Sequence, residues 1–332
     1  MSPDGSMRPP LISGTEPDGI RQAARILLEG GVVGIPTETV YGLAANALDP
    51  NAVAKVFALK GRPRFDPLIV HVPALASAVE LASRFPVQAR RLAERFWPGP
   101  LTLVVDKAPC IPDIVTAGLP RVGLRVPAHP VAQALLQEVR IPLAAPSANP
   151  FGKTSPTSAH HVWSDFQGRV PVVDGGLCAH GIESTVVLVP GDGAPPLLLR
   201  PGAVSLDALQ DTVGTVLLAD HEQALRPPSP GMLARHYATD TPLHLDPQEL
   251  PGQRLGWLGL GLPESPERFA VIESLSPRGD LLEAASNLFG AMRRLDAAGL
   301  EAIWAESVPD SGIGRAINDR LRRASARTAP SP

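Results

Sequence analysis

The sequence predicts an α/β protein in two unequal parts, and three observations predict it. At 332 residues the chain exceeds what one hydrophobic core usually serves, because domains run about 100 to 200 residues. Helical and strand periodicities are intermixed as far as Gly202, and a smaller alternation of strands and helices follows a polar, proline-rich stretch. No internal repeat relates the halves, so they are different units and not copies. The expected division is a flexible N-terminus over 1–14, a larger domain over 15–217, a linker over 218–242 and a smaller domain over 243–332.

The first helix is expected over Asp18–Leu28, where Ile20, Ala23, Ala24, Leu27 and Leu28 recur at helical spacing and stop at Gly30-Gly31. A strand at Val32–Ile35 is broken by Pro36, which hands the chain to the polar turn Thr37-Glu38-Thr39. The next helix opens with Asp49 as N-cap and Pro50 in its first position. It carries Val53, Val56 and Phe57 on one stripe and ends at Gly61, with Lys60 and Arg62 at its C-terminal end. Leu68–Val72 reads as a buried strand, Leu75–Arg84 and Val87–Phe96 as helices, and Leu101–Val105 as a strand. Between Arg121 and Val126 the alternation is strict. Val122, Leu124 and Val126 point to one face and Arg121, Gly123 and Arg125 to the other, so two guanidinium groups share a face. A helix over Val131–Val139, a strand over Ile141–Ala145, the turn Pro146–Pro150 and strands over Val170–Val173 and Ser184–Val189 follow, with a short helix in 203–217. In the smaller part, strands are expected at Arg254–Leu260, Phe269–Ile272 and Ala302–Ala305, and helices over 281–298 and 314–325.

Composition excludes several classes. Apolar residues at 44% and charged residues at 19% are those of a chain that buries a core, and no run approaches the roughly 18 apolar residues of a membrane span. The opening residues are polar and proline-rich, without the apolar segment of a secretory signal, which points to the cytoplasm. Cys110 and Cys178 form neither a disulfide framework nor a Cys-x-x-Cys site, as expected in a reducing compartment. A formal net charge of −3 argues against a whole-surface attraction to nucleic acid, so any anion site must be local.

The common nucleotide-binding loops are missing, no His-x-x-x-His or cysteine-rich grouping marks a metal site, and no Gly-x-Ser-x-Gly is present. What remains is a set of hydroxyl, amide and cationic side chains near the ends of strands and helices, a kind of set that binds anions through several directed donors. Taken singly, each has a structural reading. Lys60, Arg62 and Arg64 could complement a helix dipole, and Arg121 and Arg125 could be an exposed sheet face. Ser147 and Asn149 could close a turn, and His71 could be a buried histidine between Val70 and Val72.

Together, in this order, the segments resemble one family. Pro36-Thr-Glu-Thr-Val-Tyr-Gly-Leu43, Lys60-Gly-Arg-Pro63, Pro67-Leu-Ile-Val-His71, Arg125-Val-Pro127, Pro146-Ser-Ala-Asn149, Ile182-Glu-Ser-Thr185 and Leu199-Arg-Pro-Gly202 look like the successive motifs of the YrdC-like threonylcarbamoyl-AMP synthases. Ser229-Pro-Gly-Met232 and His236-Tyr-Ala238 resemble the linker of the longer form, and Gly312-Ile-Gly-Arg-Ala-Ile-Asn-Asp-Arg320 its C-terminal domain, so the resemblance covers about residues 15 to 325.

The resemblance implies a YrdC-like twisted mixed sheet around a central cavity, followed by a small Rossmann-like α/β domain. It implies an enzyme that joins the L-threonine amine to bicarbonate as a carbamate, which attacks the α-phosphorus of ATP and yields threonylcarbamoyl-adenylate and pyrophosphate. This is the first step of tRNA N6-threonylcarbamoyladenosine formation. Mg²⁺ accompanies ATP with no protein ligands, a downstream transferase complex carries the product to tRNA, and contact with tRNA itself is not required. By motif position, Thr37, His71, Arg125, Ala145 and Ser184 are the implied threonine contacts. Lys60, Arg62, Arg64, Ser147, Asn149, Ser155, Arg200 and Tyr237 are the implied ATP contacts, with Lys60, Arg62, Ser147 and Asn149 as the catalytic set. Chemistry of this kind rests on positioning and charge neutralisation, not on a covalent nucleophile.

Arg121 stands where the family often has a neutral residue, and Thr239 where it usually has proline, which leaves ligand contact by Arg121 and the linker path open. One rival reading makes the cationic cavity a non-catalytic RNA-binding module, against which the 4% aromatic content weighs. Another is carbamoyl transfer through a carbamoyl-adenylate, as in related maturation domains that carry zinc and acylphosphatase segments absent here.

Overall fold

The computed structural model describes residues 11–191, 193–219, 236–249 and 251–326. The Ser229-Pro-Gly-Met232 motif and residues 1–10 lie outside them. The larger part runs β1 Leu11–Ser13, α1 Pro17–Leu28, β2 Val33–Ile35, β3 Gly42–Asn46, α2 Pro50–Lys60, β4 Ile69–His71, α3 Leu75–Glu80, β5 Ala82–Arg84, α4 Val87–Phe96 and β6 Leu101–Lys107. It continues through α5 Asp113–Thr116, β7 Arg121–Arg125, α6 Pro130–Val139, β8 Leu143–Ala144, α7 Ala159–Asp165, β9 Val172–Asp174, β10 Thr185–Leu188, β11 Leu197–Arg200, α8 Leu206–Val213 and β12 Leu217–Leu218. Among the described residues its strands form one mixed sheet in the order β1-β9-β2-β3-β8-β4-β7-β6-β10-β11-β12, with β5 added to β6. The smaller part, β13 Leu243–Leu245, β14 Leu255–Gly259, β15 Phe269–Ser274, α9 Leu281–Asp296, β16 Ala302–Ala305 and α10 Gly314–Ser325, builds a second, all-parallel sheet in the order β13-β16-β14-β15. The mixed α/β architecture with a second α/β unit is the one the sequence predicts.

Local chemistry explains the elements that frame the cavity. In α2 the Asp49 carboxylate accepts from the Asn51 amide at 2.9 Å, Pro50 fills the first turn, and Gly61 terminates the helix at φ 62°, where a side chain would be strained. In β7, Val122 and Leu124 enter a core with Leu92, Leu101 and Leu103, which leaves the opposite face, with Gly123 and Arg125, for the cavity.

Three differences from the expectation have physical causes. Leu11–Ser13, within the stretch expected to be a flexible terminus, pair in parallel with β9. The helix expected to reach Arg84 stops at Glu80, because Ala82–Arg84 gain backbone partners on the edge of β6, and tertiary pairing overrides local helical spacing. Strand β3, Gly-Leu-Ala-Ala-Asn, has small residues of low strand preference and is held by β2 and β8 on either side.

The two parts share an apolar interface. Val40 and Ile182 of the larger part, with Tyr237, pack into the same core as Leu288, Phe289 and Met292 of α9. Gly181 sits there at φ 61°, and a Cβ on it would lie 2.3 Å from the Ser286 carbonyl oxygen, so contact this close requires glycine. Arg293 of α9 grips the Asp165 carboxylate of α7 with both terminal nitrogens, at 2.8 and 2.7 Å.

Candidate active site

A cavity opens at the ends of the central strands. One wall is the loop after β2, with Thr37, Thr39 and Val40; a second holds His71 and Arg125, last residues of β4 and β7; a third is Ala145, Pro146 and Ser147 after β8. Arg62, Glu183, Ser184 and Arg200 complete the sides, and His236 and Tyr237 contribute from the far end of the linker. His71 and Arg125 are register partners in a parallel pair, which puts them on one face of the sheet. The Thr37 hydroxyl closes its own turn, donating to the Val40 carbonyl at 2.6 Å and accepting from the Thr39 amide at 3.2 Å.

The guanidinium groups are buried and individually anchored. Arg125 Nη1 donates to Thr39 Oγ1 at 2.9 Å and Nε to the Gly99 carbonyl at 3.3 Å. Its Nη2 lies 2.7 Å from Glu38 Oε1, close enough for an ion pair but outside hydrogen-bond alignment. Burial pushes the Glu38 carboxyl up, yet effects led by the neighbouring Arg125 charge outweigh it and hold the group below the usual carboxylate range. Arg62 donates to the carbonyls of Asp66 and Pro67 at 3.1 and 2.9 Å and pairs with the Asp66 carboxylate at 2.9 Å, while burial pushes Asp66 up and Arg62 down. Arg200 Nη2 donates to the carbonyl and the hydroxyl of Ser184, at 2.9 and 3.1 Å, and that hydroxyl also pairs with Thr102 Oγ1 at 2.8 Å.

Both histidines of the cavity are neutral. Burial, then Arg125, pushes His71 down to about 3. Burial, then Arg62 and Lys60, pushes His236 well below its ordinary value. The cavity therefore presents three cationic forks, neutral imidazoles and hydroxyls, a donor set suited to polyanions and carboxylates.

Of the residues singled out in the sequence, Thr37, Arg62, His71, Arg125, Ala145, Ser147, Ser184, Arg200 and Tyr237 are brought together here. Lys60, Arg64, Asn149 and Ser155 do not line the cavity. The ammonium of Lys60, buried at the end of α2, donates to the carbonyls of Ser147 (2.6 Å) and Asn149, so it pins the turn from beneath. Asn149 Nδ2 donates to the carbonyls of Pro150 and Lys153, at 2.9 and 2.8 Å. Ser155 Oγ donates to Glu183 Oε1 at 2.6 Å, and Arg64 is exposed on the loop after α2. Arg121, left open by the sequence, pairs with Asp106 at 3.3 Å at the half-exposed ends of β7 and β6.

Sequence reasoning missed Thr39, Glu183 and His236 in the lining, and Glu38 and Asp66 as buried counter-ions. Asp66 follows Arg62 by four residues and Glu183 sits inside a quoted motif, so an acidic residue amid a cationic set was the available signal. Among the described residues no group of three or more His, Cys, Asp or Glu is placed to hold a metal ion, and no helix is long and apolar enough to cross a membrane.

Comparison with known proteins agrees with this geometry. Residues 25–202 match the Sua5–YciO–YrdC family, described as "telomere recombination", and residues 204–326 match the threonylcarbamoyl-AMP synthase C-terminal domain. The chain is 42% identical to the threonylcarbamoyl-AMP synthase of Pyrococcus abyssi, covering 92% of this chain and 94% of that one. It is 41% identical to the threonylcarbamoyl-AMP synthase of Bacillus subtilis, covering 92% of each. The crystal structure of P. abyssi Sua5 complexed with L-threonine superposes with a TM-score of 0.84 at 40% identity, over 93% of this chain and 95% of that one. A P. abyssi Sua5 variant with an adjacent histidine and tyrosine both replaced by alanine gives the same TM-score at 39% identity, over 93% of each chain. With both family matches in chain order and relatives aligned over nearly its whole length, the chain belongs to the threonylcarbamoyl-AMP synthase family in its two-domain form.

Proposed function

We propose that this chain joins L-threonine, bicarbonate and MgATP in the cavity, releasing L-threonylcarbamoyl-adenylate, pyrophosphate and water. The observation that carries the reading is the set of three buried, anchored guanidinium groups, Arg125, Arg62 and Arg200, around one cavity. A carboxylate and a triphosphate have to be held side by side without repelling one another, and this is the charge arrangement that does it.

Arg125 receives the threonine carboxylate, beside Thr37, Ala145 and Ser184, with neutral His71 on the adjacent strand. Arg62 and Arg200 neutralise the triphosphate, Ser147 and Tyr237 line the nucleotide end, and Mg²⁺ arrives with ATP. Lys60 and Asn149 serve through the turn they stabilise. The threonine amine adds to the carbon of bicarbonate and water leaves. A carbamate oxygen then attacks the α-phosphorus, the bond to the bridging oxygen breaks, and that oxygen departs with pyrophosphate. The product serves a downstream transferase complex that modifies the tRNA adenosine beside the anticodon, in the cytoplasm.

An RNA-binding surface is the weaker reading, because cations that contact nucleic-acid phosphates must be exposed and these three are turned inward. The decisive experiment incubates the pure protein with ATP, bicarbonate and labelled threonine and follows pyrophosphate and the adenylate by mass spectrometry. Release is expected only with threonine and bicarbonate together; equal release with ATP alone rejects the proposal.

A further inference from the structure

Besides the apolar packing of Val40 and Tyr237 against α9, a buried cation of the smaller part reaches the cavity wall. Arg320 of α10 is fully buried, at 0% exposure. Its Nε donates to Glu183 Oε2 at 3.0 Å and its Nη1 to the Pro201 carbonyl at 2.7 Å, while its guanidinium carbon lies 5.5 Å from the centre of the Tyr237 ring. Glu183 and Tyr237 line the cavity and Arg320 does not. The second oxygen of Glu183 accepts from Ser155, and the Tyr237 ring lies 5.3 Å from Phe289 of α9, so both cavity residues are fixed from the side facing the smaller part. Tyr237 is held at φ 66°, a conformation uncommon for a tyrosine, which its surroundings must maintain.

Stability alone does not account for this arrangement. Removing two charges from water offsets most of their attraction, so a buried ion pair is seldom better than apolar packing. A guanidinium, however, has donors in fixed directions, and here they set a carboxylate, a main-chain carbonyl and an aromatic face relative to one another. We propose that Arg320 is a positioning residue for the nucleotide end of the cavity, through which the smaller part takes part in the reaction without touching substrate. The assignment of that end to the nucleotide rests on the synthase reading above; the mechanical role of Arg320 does not.

The test compares the full-length protein with Arg320→Lys, which keeps the charge and loses the fork, with Arg320→Met, and with Asp165→Asn, which weakens another contact between the two parts, that of Arg293, whose only further hydrogen-bond partners among the described residues of the larger part are the main-chain carbonyls of Thr154 and Ser155. Two quantities are read: amide hydrogen exchange at Ala238, whose N–H donates to the Gly152 carbonyl, and the split between kcat/KM for ATP and calorimetric threonine affinity. Both Arg320 variants should speed exchange at Ala238 and lower kcat/KM for ATP by on the order of 10²-fold, the scale of a small misplacement of binding groups, with threonine affinity unchanged. Asp165→Asn should change neither. Should Arg320→Met fail to fold, Arg320→Lys carries the comparison alone. Wild-type exchange and ATP kinetics in a folded Arg320 variant overturn the proposal, and so does an equal loss in Asp165→Asn, which would mean that docking of the two parts is all that matters. If the wild type makes no adenylate, the synthase reading fails while the exchange comparison still decides what Arg320 holds in place.

Discussion

Glu38 Oε1 lies 2.7 Å from Arg125 Nη2, and both side chains are almost wholly buried, at 7% and 4% exposure. The fork assigned to the threonine carboxylate thus already has a carboxylate beside it, and the two anions share one cation.

Glu38→Gln keeps the volume and removes the charge, leaving Arg125 buried without its counter-ion, a loss of about 3 to 5 kcal/mol for a broken buried pair. Threonine brings a replacement carboxylate. Saturating threonine should therefore raise the melting temperature of the variant by more than it raises that of the wild type. Equal shifts in scanning calorimetry would separate Glu38 from the threonine site.

Arg125→Lys keeps the charge but gives up the planar fork, and with it the simultaneous contacts to Thr39 and Gly99. Threonine binding should weaken by about 1 to 3 kcal/mol, while affinity for a non-hydrolysable ATP analogue holds. Calorimetric titration of both ligands checks it; unchanged threonine affinity removes Arg125 from the substrate site.

Lys60 and Arg62 stand two residues apart and should fail differently. Lys60→Met leaves the carbonyls of Ser147 and Asn149 without their buried donor, at about 1 to 3 kcal/mol for each group stranded, so its melting temperature falls along with its activity. Arg62→Ala removes a cation from the cavity itself and should lower turnover by roughly 10²-fold. A Lys60→Met protein as stable as the wild type would show that the turn does not depend on the ammonium.

What was legible in the sequence follows from how far along the chain each determinant reaches. Helix α2 was readable from Asp49, Pro50 and Gly61, because caps and stops are local. The facing of Arg125 was readable too, since Val122 and Leu124 fix the pleat. The ammonium of Lys60 was not, because its partners lie 87 and 89 residues away and nothing nearby reports them. For the same reason the Arg320–Glu183 contact, 137 residues apart and between the two parts, has no sequence signature beyond the motifs that contain its ends. Strand β5 shows the opposite failure: a local helical pattern read correctly but outcompeted by an edge that needed a partner.

The buried histidines predict an acid sensitivity with a defined sign. His71 is pushed from 6.5 down to about 3 by burial and then by Arg125, against the opposing pull of Glu38. Below its ordinary value the unfolded chain takes up a proton that the folded chain refuses, so stability present above about pH 6.5 is lost as the pH falls toward 3. One such group gives a slope of about 1.4 kcal/mol per pH unit, and His236, shifted the same way, adds to it in the same window. Glu38 does not compete there, since a carboxyl held below its ordinary 4.5 begins to cost stability only in more acid solution. Urea midpoints measured between about pH 7.5 and 5 should therefore fall steadily in the wild type and less steeply in His71→Gln, which cannot take up the proton. Parallel slopes in the two proteins would show that His71 is protonated, or exposed, in the native state, and would withdraw the neutral imidazole from the threonine end of the cavity.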